Sequence, residues 1–84
     1  MYKILFSQDA EKQFKKLDKE LQRRVHNILK RIIIRPQSYA KRIVGVPYYK
    51  LRAGDYRIIL DIKESEKVLF IIKIGHRSDI YKRL

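Results

Sequence analysis

The sequence predicts an α+β fold, read as β-α-α-β-β-β with a short C-terminal element. Three observations lead there. Apolar residues recur at helical spacing between Ser7 and Pro36. They alternate with polar residues from Tyr49 onward. Two turn signals, Gly54-Asp55 and the polar run Lys63-Glu64-Ser65-Glu66-Lys67, divide this second half into three strands. The two helices are expected on one face of a mainly antiparallel four-stranded sheet.

Each element has its own local signal. Tyr2, Ile4 and Phe6 alternate with Lys3 and Leu5, which reads as a first strand. Ser7 is a suitable N-cap for the next helix, and Asp9 and Glu11 in its first turn suit the helix dipole. Ala10, Phe14 and Leu17 fall on one face of it. Asp18 serves as a second N-cap. Leu21, Val25, Ile28, Leu29 and Ile32 follow at helical spacing until Pro36 ends the pattern. The next strands are Tyr49 to Ala53, Tyr56 to Ile62 and Val68 to Ile74, with Gly75 closing the last. Residues Ser78 to Leu84 are expected to form a short helix capped by Ser78 and held by Ile80 and Tyr81.

Composition limits what such a fold can do. The 84 residues suffice for one small domain, read as 1–84. Lys and Arg number 21 against 9 Asp and Glu, a formal charge of +12, while 45% of residues are apolar. A folded domain this basic repels itself, and a polyanionic partner offsets that cost. From Arg23 to Arg52 there is no acidic residue, while Arg23, Arg24, Lys30, Arg31, Arg35, Lys41, Arg42, Lys50 and Arg52 all fall there. No cysteine is present, so disulfides, thiolate nucleophiles and cysteine-based zinc sites are excluded. The acidic residues lack metal-site spacing, and neither a metal nor a cofactor is expected. No signal-peptide core or membrane-length apolar run occurs, and a cytoplasmic protein is expected.

Strand register gathers the cations. If Ala53 pairs with Tyr56, Arg52 faces Arg57 and Lys50 faces Ile59. If Ile62 pairs with Val68, Lys73 faces Arg57. Lys50, Arg52, Arg57 and Lys73 then project from the face opposite the helices, over an apolar floor of Ile59, Leu69 and Ile71. Like charges set across from each other destabilise a sheet, which points to a missing anion. A solvated face, with Lys and Arg stems lying over apolar surface, accounts for the same pattern. The segment Gly75-His76-Arg77-Ser78-Asp79-Ile80-Tyr81 should bring His76, Arg77 and Tyr81 to the Arg57 end of the sheet. His26, beside the apolar stripe of the second helix, reads as structural.

The segment Tyr49-Lys50-Leu51-Arg52-Ala53-Gly54-Asp55-Tyr56-Arg57-Ile58-Ile59, followed by Ile74-Gly75-His76-Arg77-Ser78-Asp79-Ile80-Tyr81, resembles the RelE branch of the RelE/ParE toxin superfamily. The resemblance extends over nearly the whole chain, including the two helices and the Pro36 break. It implies a RelE-like toxin domain, and an mRNA interferase that cuts messenger RNA in the ribosomal A site without a metal and inhibits translation. It also implies neutralisation by a cognate, acidic RelB-like antitoxin, with a heterotetramer among the assemblies it admits. Arg57, Arg77 and Tyr81 match the family's functional Arg, Arg and Tyr, and Lys50 matches a functional lysine. A second family lysine, two positions upstream, is replaced here by Tyr48. Some relatives use a C-terminal histidine, a part open to His76.

These residues suit RNA cleavage by a neighbouring 2′-OH. Arg57 and Arg77 can stabilise the phosphorane through charge-assisted hydrogen bonds. Lys50 and His76 are competing general bases, and Tyr81 can orient the nucleophile, stack on a base or assist proton transfer. Arg52, Lys73, Lys41 and Arg42 are expected to bind RNA. Two other functions fit the same pattern. One is a ParE-like toxin that inhibits gyrase on the same fold; the other is an RNA-binding module without catalysis.

Overall fold

The structure, a computed structural model, describes residues 1–82. Arg83 and Leu84, the end of the expected C-terminal helix, lie outside the described residues. In chain order the elements are β1 (Lys3–Phe6), α1 (Gln8–Lys16), α2 (Lys19–Ile32), a 3₁₀ turn (Pro36–Ser38), β2 (Lys41–Arg42), β3 (Tyr49–Ala53), β4 (Tyr56–Lys63) and β5 (Val68–His76). The strands form one sheet in the order β1-β5-β4-β3-β2, antiparallel throughout except that β1 runs parallel to β5.

Both helix caps are the expected ones. Ser7 Oγ accepts from Ala10 N at 3.0 Å, and Asp18 Oδ1 accepts from Leu21 N at 2.8 Å. Each bond satisfies an amide that the first helical turn leaves without a partner. Gln22 Nε2 donates to Phe14 O at 3.0 Å, joining α2 to the end of α1. Val25, Leu29 and Ile32 of α2 and Ala10 of α1 are buried against Leu51, Ala53, Ile58, Leu60, Leu69, Ile71 and Ile74 of the sheet. That single layer of helix-to-sheet contact is the main core. Among the described residues, no helix is long and apolar enough to cross a membrane.

The sheet has five strands rather than the expected four. The added strand, β2, is two residues long, too short to carry a period. It forms because the chain doubles back through Gly45, at φ 88°, and Pro47, so that Ile43 N donates to Tyr48 O at 3.0 Å. A short edge strand made of Lys and Arg also discourages pairing with another chain.

Register decides which side chains meet. Ala53 pairs with Tyr56, Arg52 with Arg57 and Lys50 with Ile59, as the turn signal predicts. Gly54 sits at φ 63°, the left-handed conformation that a two-residue hairpin turn demands and glycine adopts without strain. A Cβ there would lie 2.6 Å from Arg24 Nη1, the far end of a flexible side chain that can swing aside, so it is the positive φ that calls for glycine.

The β4–β5 hairpin differs from expectation by one residue. Lys63 pairs with Val68 and Ile62 with Leu69, because Lys67 takes a positive φ of 55° and closes a tighter loop. Leu69 and Ile71 therefore face the helices, fully buried, and are no floor for the cationic face. Farther along, a bulge shifts the register between Ile59 and Leu60, so that Ile59 pairs with Lys73 and Arg57 with Gly75. The bulge returns Lys73 to the face opposite the helices, although its partner is Ile59 rather than Arg57.

From Arg77 to Lys82, the described part of the C-terminal segment is a turn rather than a helix. Asp79 N and Ile80 N both donate to His76 O, at 2.9 and 3.0 Å, and Lys82 N donates to Asp79 O at 3.1 Å. So short a segment holds too few bonds to propagate a helix. His76, not Ser78, supplies the cap, since its Nδ1 accepts from Ser78 N at 3.2 Å.

Candidate functional site

The face of the sheet away from the helices carries the cations. Lys50 and Arg52 of β3, Arg57 of β4 and Lys73 of β5 share it by register, and Lys41 joins them opposite Lys50. Arg52 stands directly across from Arg57, and Lys41 directly across from Lys50. Such pairs are destabilising unless an anion comes between them. Asp61, the acid of β4 on this face, is engaged by Lys63 at 3.5 Å instead of by a lysine of the cluster.

The C-terminal turn crosses this face and completes it. Ile80, buried to 1% exposure, seats against Gly75, where a Cβ would lie 3.1 Å from Ile80 Cδ1. Ile59, on the same face, is fully buried yet stands apart from the helix-side core. Ile80 thus anchors the turn on the outer face. The anchored turn sets Tyr81, which is exposed, with its ring centroid 5.7 Å from Lys50 Nζ. Lys73 Nζ donates to Lys82 O at 3.0 Å and ties the turn down at its far end. Ile80→Ala should therefore cost about 2–4 kcal/mol by loss of burial and cavity formation. It should also free Tyr81 from its place beside Lys50. Urea unfolding measures the first effect, and a stability within 0.5 kcal/mol of wild type would contradict this anchoring role.

Two arginines converge on the Gly54-Asp55 turn. Arg57 Nη1 donates to Gly54 O and Tyr56 O, both at 2.9 Å, which folds the half-buried guanidinium against its own hairpin. Arg77 N donates to Asp55 O at 2.8 Å, and its Nε lies 4.0 Å from Asp55 Oδ1 with the side chain 60% exposed. A third arginine, Arg24, stands in the sequence as one basic residue among many. Its guanidinium reaches the same turn from α2. No local signal could have placed it there, since the contact spans thirty positions of chain and needs the helix docked on the sheet.

Two predicted residues are turned elsewhere. His76 pairs with Tyr56, so it shares the side of Tyr56 and Ile58 rather than that of Arg57. Its ring meets Tyr56 edge-on at 5.7 Å, and its Nδ1 lies 2.9 Å from Ser78 Oγ. Arg42 pairs with Tyr49 and lies over that ring at 5.7 Å, on the helix side of the sheet. Lys50, Arg52, Arg57, Lys73, Lys41, Arg77 and Tyr81 are thus brought to one face or its rim, and His76 and Arg42 are not.

A face of this kind can bind a polyanion through its phosphates. Between Arg57, Arg77, Lys50 and Tyr81 it offers planar and point-charge donors together with a phenol. The family model described as the ParE toxin of the type II toxin–antitoxin system parDE matches residues 4–81. The mRNA interferase toxin RelE of Escherichia coli K12 is 27% identical over 85 aligned positions, covering 95% of this chain and 90% of that protein. The toxin in the intact RelBE complex of Escherichia coli superposes with a TM-score of 0.79 at 25% identity, over 90% of this chain and 96% of that one. The YoeB/ParE toxin of Agrobacterium tumefaciens has the same fold, with a TM-score of 0.77 at 12% identity over 88% of this chain and 96% of that one. The chain belongs to the RelE/ParE toxin family of type II toxin–antitoxin systems, with RelE-like toxins among its relatives.

Proposed function

We propose that residues 1–84 form a RelE-like toxin domain that cleaves messenger RNA in the ribosomal A site and so inhibits translation. The observation that carries this reading is the cationic face itself, where Arg52 opposes Arg57 and Lys41 opposes Lys50 beneath an anchored Tyr81. The similarity to the mRNA interferase RelE supports the same substrate.

The chemistry runs on groups of the chain and of the RNA. The 2′-OH of the nucleotide 5′ to the scissile bond attacks phosphorus. Its proton passes to a base, the O2′–P bond forms, and the P–O5′ bond breaks as the leaving oxygen takes up a proton. Arg57 and Arg77 stabilise the charge that accumulates on the phosphorane oxygens. Lys50 and Tyr81, side by side, handle the protons and orient the nucleophile. His76 is the less favoured base, because its ring lies on the Tyr56 side and caps the C-terminal turn. Lys73, Arg52 and Lys41 hold the flanking phosphates by charge. Among the described residues no three His, Asp or Glu side chains gather as metal ligands.

The products test the mechanism directly. They should end in a 2′,3′-cyclic phosphate, or its 3′-phosphate hydrolysis product, with a 5′-OH on the other fragment. A single 2′-deoxy substitution at the scissile nucleotide should block cleavage of an otherwise identical message. Products with 3′-OH and 5′-phosphate ends, or unimpaired cleavage of the 2′-deoxy message, would require another mechanism.

The partner in this reading is a cognate, acidic RelB-like antitoxin, supported by the solved RelB–RelE complexes that share the fold, including that of Pyrococcus horikoshii. A heterotetramer is the assembly proposed, in the cytoplasm, where ribosomes are met. A second reading, gyrase inhibition, is favoured by one observation: the matching family model is that of ParE. Loss of gyrase supercoiling with intact message would select it.

A further inference from the structure

β5 outruns its neighbour. β1 pairs with it only from Val68 to Ile71, while β5 continues to His76. On the side away from β4, its edge beyond Ile71 therefore has no strand partner. The chain entering and forming α1 takes the missing strand's place. Ser7 N donates to Ile71 O at 2.8 Å, Ser7 Oγ donates to Ile72 O at 2.7 Å, and Gln13 Oε1 accepts from Ile74 N at 2.7 Å. Both side chains are half-buried, and both bonds cross more than sixty positions of sequence.

These bonds bracket the bulge. Leu60 pairs with Ile71 and Ile59 with Lys73, so Ile72 is the extra residue. Because side chains alternate, one inserted residue exchanges the faces of all that follow. Without it Lys73 would stand opposite Ile58, on the helix side, and Ile74 would leave the core. With it Lys73 reaches the cationic face, and Gly75 comes opposite Arg57, where Ile80 seats the Tyr81 turn.

We propose that Ser7 and Gln13 are positioning residues of the active site, whose side chains pin the β5 bulge and thereby hold Lys73 and the Tyr81 turn in the frame that faces Lys50 and Arg57. Ser7 does this with the same hydroxyl that caps α1: its proton goes to Ile72 O, and its lone pair accepts from Ala10 N. Gln13 needs only an acceptor oxygen. The inference rests on the ribonuclease reading for its catalytic part, but the frame itself is readable without activity.

The test compares Gln13→Leu, similar in shape but without an acceptor, with Gln13→Glu, which keeps one, and adds Ser7→Asp, which caps a helix but cannot donate to Ile72 O. Amide exchange at Ile74 and the Ile59–Lys73 cross-strand contact are read by NMR. Cleavage of ribosome-bound message is read as kcat and KM separately. Gln13→Leu should speed Ile74 exchange about tenfold. It should lower kcat about tenfold to a hundredfold with KM little changed, as a small misplacement of catalytic groups does. Gln13→Glu should restore most of both, and Ser7→Asp should lower kcat with helix content unchanged. Wild-type exchange and kcat in Gln13→Leu, or equal damage in Gln13→Glu, would overturn the proposal. A wild-type protein that cleaves no message would defeat the ribonuclease reading instead, while Ile74 exchange and the cross-strand contact would still decide whether the bulge is pinned.

Discussion

Arg57→Ala and Arg77→Ala should each slow single-turnover cleavage of ribosome-bound message by about 10²- to 10³-fold, the usual cost of removing one donor from a developing oxyanion. Growth inhibition should disappear with it. The effect should be on chemistry rather than on folding. The Arg77 side chain is exposed, and the main-chain bond from its amide to Asp55 survives substitution. Its stability cost should stay within about 0.5 kcal/mol. Arg57→Ala gives up two bonds to the hairpin turn, worth about 1 kcal/mol each, and regains part of this by removing the repulsion from Arg52. Arg57→Lys should recover little, because a point charge does not reproduce the planar fork that holds phosphate oxygens in pairs. Circular dichroism and urea unfolding check that the variants fold. Wild-type toxicity in both folded alanine variants would remove these arginines from the site.

Much of the fold was legible because local chemistry and global packing agree. Ser7 and Asp18 cap their helices, Pro36 stops the second helical pattern, and Gly54 makes the turn that sets the β3–β4 register. Each is a short-range effect with a strong residue preference. What escaped depends on contacts distant in sequence or on loop geometry without a residue signature. The positive φ of Lys67 tightens the β4–β5 loop by one residue and sends Leu69 and Ile71 into the core. β2 is defined only by the partner it finds.

The candidate site shows the same division. Register around a glycine turn placed Lys50, Arg52 and Arg57 on one face. Pairing Ile62 with Val68 puts Lys73 on that face through a register that the structure does not have; the bulge supplies the second shift that restores it. Its position directly after Gly75 groups His76 with the arginines in the sequence. Alternation turns it to the other side, one residue away in sequence and a sheet thickness away in space. The bulge has no local signal, since the side chains that bond to it, those of Ser7 and Gln13, lie more than sixty positions upstream.

Ribosome-bound message should be cleaved far faster than free RNA. The proposed site leaves its proton transfers to Tyr81 and Lys50, side by side, rather than to two histidines with split acid and base roles. Catalysis must then draw on charge stabilisation and on correct placement of the 2′-OH in line with the scissile bond. A free single strand seldom holds that geometry, whereas a codon fixed in the A site can be presented in it. Orientation of this kind is worth on the order of 10⁵-fold or more in favourable cases. Binding should not discriminate in the same way: with a charge of +12 the protein should bind free RNA too, and lose affinity steeply as salt rises. The most direct measurement is therefore single-turnover cleavage of one message, free and in the A site, at matched salt and saturating protein. The account predicts cleavage at a defined codon on the ribosome and a rate lower by at least about 10³-fold on the free strand. Equal rates in the two settings would contradict it.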